Sequence, residues 1–164
     1  MTNKEVVYLS LGSNIGDRKF YLDKAIEEIK KLEGVELIEV SPFYVTSPWG
    51  KKDQRRFLNC AVKVETALSP WVLLERFKNI ERELGKDIKE RWAERTIDID
   101  IIFYGKKVIF EKKLIIPHPR FRFRKFVLIP LCDISKDFVD PESQKRIEVL
   151  LDIVDDDSDV ELVD

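Results

Sequence analysis

The order of strand-like and helix-like segments is the feature that most limits the fold of this chain. Runs of β-branched and alternating apolar residues predict four strands, which cover residues 5–11, 35–47, 57–66 and 96–104. Apolar residues spaced three and four apart predict two helices, one over residues 17–32 and one that starts at Pro70 and stops at Gly85. The predicted order is therefore β-α-β-β-α-β.

This order is that of the split βαβ, or ferredoxin-like, sandwich. We therefore expect an α+β protein in which two helices cover one face of an antiparallel sheet and leave the other face partly open. Pro42 lies inside the second strand and is expected to break or bulge it, because proline cannot donate a hydrogen bond to a sheet. Residues 105–164 predict a C-terminal extension made of a short hairpin at 106–116, a loop and one or two short helices.

Strand periodicity assigns side chains to the two faces of the sheet, because successive side chains on a strand point in opposite directions. The predicted helix-facing side chains are Leu58, Cys60, Val62 and Val64 in the third strand and Ile97, Ile99, Ile101 and Phe103 in the fourth. The opposite face receives Phe57, Asn59, Lys63 and Glu65 from the third strand and Asp98, Asp100 and Ile102 from the fourth. Polar groups thus gather on the face that the helices leave open, and we expect any site to lie there.

Composition favours one globular domain over residues 1–164. The chain has 164 residues, of which 44% are hydrophobic, and this is enough for one core. No apolar run approaches the roughly 20 residues of a membrane helix, and the N-terminal sequence lacks the cleavage region of a signal peptide. Cys60 and Cys132 are far apart and form no CxxC pair, which favours a reducing compartment. We expect a cytoplasmic protein without a disulfide.

Charge is distributed unevenly, although the formal net charge is only −2. Residues 106–125 hold eight Lys or Arg residues against one Glu, a local charge of +7. Residues 152–164 hold seven Asp or Glu residues and no basic residue. We interpret the acidic segment as a flexible tail, whereas the basic run leaves an anionic ligand open as an alternative to a solvated face.

Asp98 and Asp100 are the most unusual pair in the sequence, because aspartate is a poor strand former. Carboxylates two residues apart on one strand face have Cα atoms about 7 Å apart and can converge on a pair of hard cations such as Mg²⁺. Arg91 and Arg95 precede the pair and the basic run follows it, and carboxylates with Arg and Lys are typical of phosphoryl-transfer sites. The residues alone leave a metal–phosphate site and a solvated strand face both open.

Other motifs are less informative. The GSNIG stretch (12–16) lacks the features of a phosphate-binding loop and predicts a strand-to-helix turn with Asp17 near the helix start. His118 is the single histidine, so a zinc site is not expected. A loop histidine is usually just an exposed side chain, but this one adjoins the basic run, which leaves donation to a phosphate open as well. Trp92 fits either a core anchor or an aromatic lid in a charged loop.

Several separated motifs together carry a family resemblance. They are LGSN (11–14), T-x-P-x-G (Thr46, Pro48, Gly50), F-L-N (57–59), RW-x-x-RTIDIDI (91–101), and PH (117–118) followed by Arg124 and Phe126. With these motifs the chain resembles the 6-hydroxymethyl-7,8-dihydropterin pyrophosphokinases of the folate pathway, from Val6 to about Ile134.

The resemblance implies a reaction and a set of roles. The enzyme would transfer pyrophosphate from ATP to the hydroxymethyl group of the pterin and release AMP. The implied catalytic residues are Lys86, Arg95, Asp98 and Asp100, and the two aspartates would hold two Mg²⁺ ions. The implied pterin-binding residues are Thr46, Pro48, Trp49, Phe57, Asn59, Trp92 and Phe126. The implied ATP-binding residues are Glu81, Trp92, Arg95, Ile101, Lys113, His118 and Arg124.

The chain departs from the family pattern in its basic residues, since Lys86 and Lys113 stand where the family often has Arg, and at Lys86 the bidentate contact of Arg with phosphate is lost. We expect a monomer that binds these small molecules and neither nucleic acid nor a membrane.

Two other functions compete with this one. A ferredoxin-like module could bind single-stranded nucleic acid through FRFRKF (121–126), where aromatic and basic residues alternate. Against it, Asp98 and Asp100 would repel phosphates unless metal is bound. The other alternative is a non-catalytic interaction domain that does not bind ATP and Mg²⁺.

Overall fold

The central sheet is antiparallel throughout and is the frame on which the other elements pack. The computed structural model describes residues 3–46, 56–85 and 96–163. The strands are β1 (Glu5–Ser13), β2 (Val35–Val40), β3 (Tyr44–Thr46), β4 (Phe57–Thr66), β5 (Asp98–Tyr104), β6 (Ile109–Glu111), β7 (Leu114–Ile116) and β8 (Val160–Leu162). The helices are α1 (Arg18–Lys31), α2 (Pro70–Glu83), α3 (Lys125–Ser135) and α4 (Ile147–Ile153).

The strand order confirms the predicted ferredoxin-like α+β sandwich. The order is β5-β1-β4-β3-β8, and β2 pairs with the other half of the same edge of β4. The predicted second strand is therefore split into β2 and β3 around Pro42, as expected. Ser41 bridges the break, because its hydroxyl accepts a hydrogen bond from the Ala61 amide at 2.8 Å.

Each long helix starts where the sequence predicts, and a side chain caps each start. The Asp17 carboxylate accepts a hydrogen bond from the Phe20 amide at 3.0 Å. The Ser69 hydroxyl accepts one from the Val72 amide at 3.2 Å, and Pro70 follows as the first residue of α2. Both contacts satisfy amides that an α-helix leaves without an internal partner at its N-terminus. No helix in the described ranges is both long enough and apolar enough to cross a membrane.

The first core lies between the sheet and the pair α1 and α2. The four β4 side chains predicted to face the helices, Leu58, Cys60, Val62 and Val64, are all buried in it. Burial also raises the pKa of the Cys60 thiol. Cys60 is therefore an apolar packing residue, as the sequence predicts.

One prediction of strand parity is wrong, and a β-bulge is the reason. Leu9 pairs with Ile101 and Tyr8 with Phe103, so Ile102 is an extra residue in β5. The extra residue moves Phe103 from the helix-facing side to the opposite face. There its ring packs against Phe121, with the ring centroids 4.9 Å apart.

Phe103 belongs to a second core on the opposite face of the sheet. This core includes Tyr8, Ala61 and Ile102 from the sheet and Val127, Leu128 and Leu131 from α3, with Ile147 and Leu150 from α4. The C-terminal extension therefore covers the part of the face nearest these strand residues. The predicted hairpin within 106–116 is present as β6 and β7.

The acidic segment 152–164 differs from the flexible tail that its composition predicts. It includes the end of α4 and the strand β8, which pairs with β3. The sequence expectation neglected that Val160 and Leu162 are apolar residues that alternate with Asp159 and Glu161, the pattern of a strand. The boundary of a single domain at residues 1–164 stays a prediction.

A salt bridge joins the loop before α3 to the loop before α4. The Arg122 guanidinium donates to both oxygens of Asp140, at 2.6 and 3.0 Å. The Asp140 side chain is 0% exposed and also accepts from the Ser143 hydroxyl and the Glu142 amide. Burial alone would raise the pKa of Asp140, but these hydrogen bonds together lower it below its ordinary value. The carboxylate is therefore charged and depends on Arg122.

Arg122→Ala should lower the free energy of unfolding by about 3 kcal/mol at pH 7, because it leaves a buried charge without its cation. Urea denaturation followed by circular dichroism measures this. Because the pKa of Asp140 is lowered in the folded protein, the Arg122–Asp140 pair contributes its full stabilisation above about pH 4, the ordinary pKa range of an aspartate. This stabilisation is lost as the pH falls through the folded-state pKa of Asp140.

Arg146→Ala is the matched control, since Arg146 is 53% exposed and pairs with exposed carboxylates of Asp137 and Glu148. It should cost less than about 1 kcal/mol. Equal losses of unfolding free energy in the two variants would show that the buried Arg122–Asp140 pair stabilises the fold no more than an exposed ion pair does.

Candidate functional site

One row of cross-strand neighbours brings the candidate metal and pterin residues together. Asp98 pairs with Gly12, Gly12 pairs with Asn59, and Asn59 pairs with Tyr44. Paired residues share a face, so this row crosses four strands on the face away from α1 and α2. In the next row, Asp100 pairs with Ser10. Both aspartates are partly exposed there.

Gly12 is required in the middle of this row because the Asn59 side chain occupies the space beside it. A Cβ atom at position 12 would lie 2.5 Å from Nδ2 of Asn59. Asn59 is 4% exposed, and its Nδ2 donates to the Leu11 carbonyl at 3.4 Å. Its Oδ1 is buried and has no hydrogen-bond partner within the described residues. Such an acceptor is costly unless a ligand satisfies it.

A second orphaned oxygen lies beside Asn59. Thr46 pairs with Phe57 across β3 and β4, two register positions from the Tyr44–Asn59 pair and therefore on the same face of the sheet. Thr46 is 2% exposed, and its Oγ1 also lacks a partner in the part of the chain that the structure describes. Two unsatisfied polar atoms next to the ring of Phe57 suit a flat heterocycle with a polar edge.

Arg124 and Phe126 lie at the start of α3, which packs against β4. The Arg124 guanidinium lies 5.6 Å from the centroid of the Phe126 ring. Burial lowers the pKa of Arg124, whereas the charges of Asp100 and Asp98 raise it. The carboxylates and the guanidinium therefore influence one another electrostatically, and the site holds groups suited to a cation and to an anion.

His118 is fixed next to the same basic residues. Its amide donates to the Ile102 carbonyl at 3.0 Å, and its Nδ1 accepts from the Arg120 amide at 3.2 Å. Burial, with the charges of Arg124 and Arg120, lowers the pKa of His118 to about 4. The ring is therefore neutral at pH 7, and its Nε2–H remains to donate to a ligand oxygen.

The structure does not bring every predicted ATP residue to this face. Ile101 is buried in the first core, and Glu81 is buried on α2, where its carboxylate accepts from the Ile99 amide at 2.8 Å. Glu81 thus ties α2 to the strand that carries both aspartates. Lys113 is exposed in the turn between β6 and β7.

Five predicted site residues lie outside the described residues. They are Pro48, Trp49, Lys86, Trp92 and Arg95. Within the described ranges, no group of three or more His, Cys, Asp or Glu side chains is arranged to hold a metal ion. The pair Asp98 and Asp100 is the candidate, and two carboxylates suit Mg²⁺, which completes its shell with water and phosphate oxygens.

Sequence reasoning missed Gly12 and Tyr44 as parts of the site. The Tyr44 hydroxyl donates to the Asp133 carboxylate on α3. Burial and Asp133 together raise the pKa of Tyr44 to about 12, so the hydroxyl stays protonated. The break at Pro42 hid the face of Tyr44, because periodicity does not continue across it. Gly12 had a signal, since it lies in the LGSN motif.

The nucleic-acid alternative finds no support in the structure. The stretch 121–126 is a 3₁₀ turn followed by the start of α3 rather than a strand, and of its three aromatic rings only that of Phe123 is largely exposed, at 69%. Phe121 is 0% exposed, and the Arg122 guanidinium is held by Asp140. The alternating aromatic and basic pattern therefore does not form a stacking surface.

Comparison with known proteins gives a consistent result. The family model described as 7,8-dihydro-6-hydroxymethylpterin-pyrophosphokinase (HPPK) matches residues 8–136. The 2-amino-4-hydroxy-6-hydroxymethyldihydropteridine pyrophosphokinase of Bacillus subtilis is 45% identical over 131 residues, which cover 80% of this chain and 78% of that protein. The protein of the same name from Haemophilus influenzae is 40% identical over 143 residues, covering 87% of this chain and 89% of that protein.

A solved structure supports the fold. A triple mutant of Plasmodium falciparum HPPK-DHPS has a TM-score of 0.76 and 18% identity, and the match covers 93% of this chain and 43% of that longer chain. This similarity concerns the fold alone. The family model and the two bacterial relatives match most of the sequence, and the chain belongs to the 7,8-dihydro-6-hydroxymethylpterin-pyrophosphokinase family.

Proposed function

We propose that this chain is the pyrophosphokinase of folate biosynthesis that converts 6-hydroxymethyl-7,8-dihydropterin and ATP into the pterin diphosphate and AMP. The row Asp98–Gly12–Asn59 supports this proposal most strongly. It joins a carboxylate suited to a metal–phosphate complex to an unsatisfied amide suited to a heterocycle, on one face and within neighbouring strands.

The pterin half of the site combines two aromatic side chains with two polar side-chain oxygens. Phe57 and Phe126 would hold the faces of the pterin, and Oδ1 of Asn59 and Oγ1 of Thr46 would bind its polar edge. Binding there satisfies two buried oxygens that otherwise lack partners, so a ring without matching donors is rejected. Pro48, Trp49 and Trp92 are proposed to complete this half.

The phosphate half of the site combines charged side chains with a neutral hydrogen-bond donor. Arg124 would bind phosphate oxygens and stabilise the charge that develops during transfer, and the neutral His118 would donate from Nε2. Arg95, Lys86 and Lys113 are proposed to add positive charge, whereas Glu81 and Ile101 lie on the helix side of the sheet and are not proposed to contact the nucleotide. Two Mg²⁺ ions held by Asp98 and Asp100 would supply Lewis-acid stabilisation of the phosphates and lower the pKa of the pterin hydroxyl.

The transfer breaks one bond and forms one. The hydroxymethyl oxygen attacks the β-phosphorus, the bond from that phosphorus to the oxygen of the α-phosphate breaks, and AMP leaves with the electron pair. The hydroxyl proton passes to water as the new O–P bond forms, because the lowered pKa of the hydroxyl would make a dedicated general base unnecessary, although Asp98 is the nearest candidate for one. Asn59 would hold the pterin in the row that also contains Asp98, so that the hydroxymethyl group can approach the phosphates.

A nucleotide product assay tests this function. Purified protein with ATP, Mg²⁺ and the pterin should form AMP only when the pterin is present, and no ADP. Formation of ADP would indicate ordinary kinase chemistry, and no turnover would favour the non-catalytic interaction domain. The cytoplasmic location and the monomeric state stay predictions.

Asp98→Ala and Asp100→Ala should each lower kcat by about 10³-fold or more, because several kcal/mol of charge stabilisation at the phosphates is lost. Both variants should fold, since the two side chains are partly exposed and belong to neither core. Turnover is measured from AMP formation, and folding from thermal melts. Asp152→Ala, which removes an exposed carboxylate at the end of α4, is the control. An aspartate variant with turnover near that of Asp152→Ala would remove the metal assignment.

Asn59→Ala should raise the KM for the pterin about 10-fold to 100-fold, the size expected when a polar edge of the ligand loses its buried partner. The KM for ATP should change by less than about threefold, because Asn59 lies on the pterin side of Gly12. Lys63→Ala, on the same face of β4, is the control. Equal increases in both KM values would contradict a role of Asn59 in pterin binding.

A further inference from the structure

The C-terminal segment (residues 155–163) packs against two elements of the pterin half of the site. Its strand β8 pairs with β3, with Val160 opposite Thr46. The Val163 amide donates to the Phe43 carbonyl at 2.9 Å, which extends this pairing. The segment therefore forms the outer edge of the sheet directly beside Thr46.

Asp156 connects the same segment to the start of α3. Its carboxylate accepts a hydrogen bond from the Lys125 amide at 2.9 Å and one from the Ser158 amide at 3.0 Å. Burial alone would raise the pKa of Asp156, but these hydrogen bonds and the charge of Lys125 together lower it. The group is therefore a carboxylate at neutral pH.

This contact replaces a local helix cap. Lys125 is the first residue of α3, and Arg124, which precedes it, makes no capping hydrogen bond with its own side chain. The first amides of a helix have no internal partner, and a carboxylate at that end stabilises the helix. Here the carboxylate comes from 31 residues further along the chain.

The capped residue lies between two candidate ligand contacts. Arg124 has a further anchor, because its amide donates to the Phe121 carbonyl at 3.2 Å. Phe126 lies in the first turn of α3. The position of its ring therefore depends on how well the helix start is fixed.

We propose that Asp156 is a positioning residue for the pterin. By holding the Lys125 amide it fixes the first turn of α3, and with it Phe126, beside the edge that β8 forms along Thr46. The proposal rests on the proposed function for the pterin assignment, while the contact between Asp156 and Lys125 is independent of it.

Three variants test the proposal through the KM values for pterin and ATP, measured separately. Asp156→Ala should raise the KM for the pterin about fivefold to tenfold, the order that loss of a helix cap gives. The KM for ATP should stay within about twofold, because Arg124 keeps its second anchor. Asp156→Asn should recover most of the pterin affinity, since asparagine caps about as well as aspartate.

Asp157→Ala is the matched control, because it removes the same charge from the neighbouring exposed residue. It should leave both KM values unchanged. Equal increases for pterin and ATP in Asp156→Ala, or the same increase in Asp157→Ala, would overturn the positioning role.

A second pair of variants covers the case in which Asp156→Ala does not fold. Lys125→Pro removes the amide donor itself, and proline is tolerated at the first position of a helix. Arg124 has φ −121° and ψ 101°, an extended conformation that suits a residue before proline. Lys125→Pro should reproduce the increase in pterin KM, whereas Lys125→Ala, which keeps the amide, should not. Equal pterin KM values for these two variants would overturn the proposal.

Hydrogen exchange separates failure of this inference from failure of the proposed function. The Lys125 amide should exchange at least about fivefold faster in Asp156→Ala than in Asp157→Ala, whatever the protein's substrate is. An unchanged exchange rate of the Lys125 amide would show that Asp156 does not hold the start of α3, and would overturn the proposal. Faster exchange in a protein that forms no AMP would overturn the proposed function and the pterin role together, and leave the anchor as a structural contact.

Discussion

The pairing of β1 between β4 and β5 is the constraint on which the rest of the site depends. Because β1 has Asp98 on one side of Gly12 and Asn59 on the other, a shift of one residue in either register would turn one of these side chains into the first core. Register is fixed by the apolar residues that β1 and β4 bury against α1 and α2. The hydrophobic core thus sets the separation of the carboxylate and the amide.

The second core gives the loop residues of the site a comparable rigidity. The bulge at Ile102 sends Phe103 to the open face, where it packs against Phe121. The Ile102 carbonyl then accepts the His118 amide, and Arg122 holds the same loop to Asp140. The loop that presents His118 and Arg124 is therefore fixed at several points, which is what a preorganised phosphate site requires.

Sequence reasoning predicted the parts of this structure that depend on local patterns. Periodicity in β4 assigned Leu58 and Asn59 to opposite faces, and Asp17 and Ser69 marked the helix starts, because each signal acts over a few residues. The bulge depends on pairing with a distant strand, so the parity of β5 failed at Phe103. The place of Tyr44 beyond the break at Pro42 was hidden for the same kind of reason. The contact between Asp156 and Lys125 crosses 31 residues, and composition alone predicted a flexible tail there.

The most unusual pair in the sequence, two aspartates in one strand, has a physical explanation in the fold. The strand is stabilised by Ile97, Ile99 and Ile101, which are buried on the helix side, and by Glu81, which accepts the Ile99 amide between the two aspartates. These contacts offset the poor strand propensity of aspartate and leave its carboxylates on the other face. There they lower the electrostatic cost of half-burying Arg124, as the opposing influences on its pKa show. A bound cation would weaken that attraction and leave Arg124 to bind an anion. The two carboxylates therefore offset part of the cost of burying the guanidinium, and in the proposed complex a metal and a phosphate would engage the two kinds of group separately.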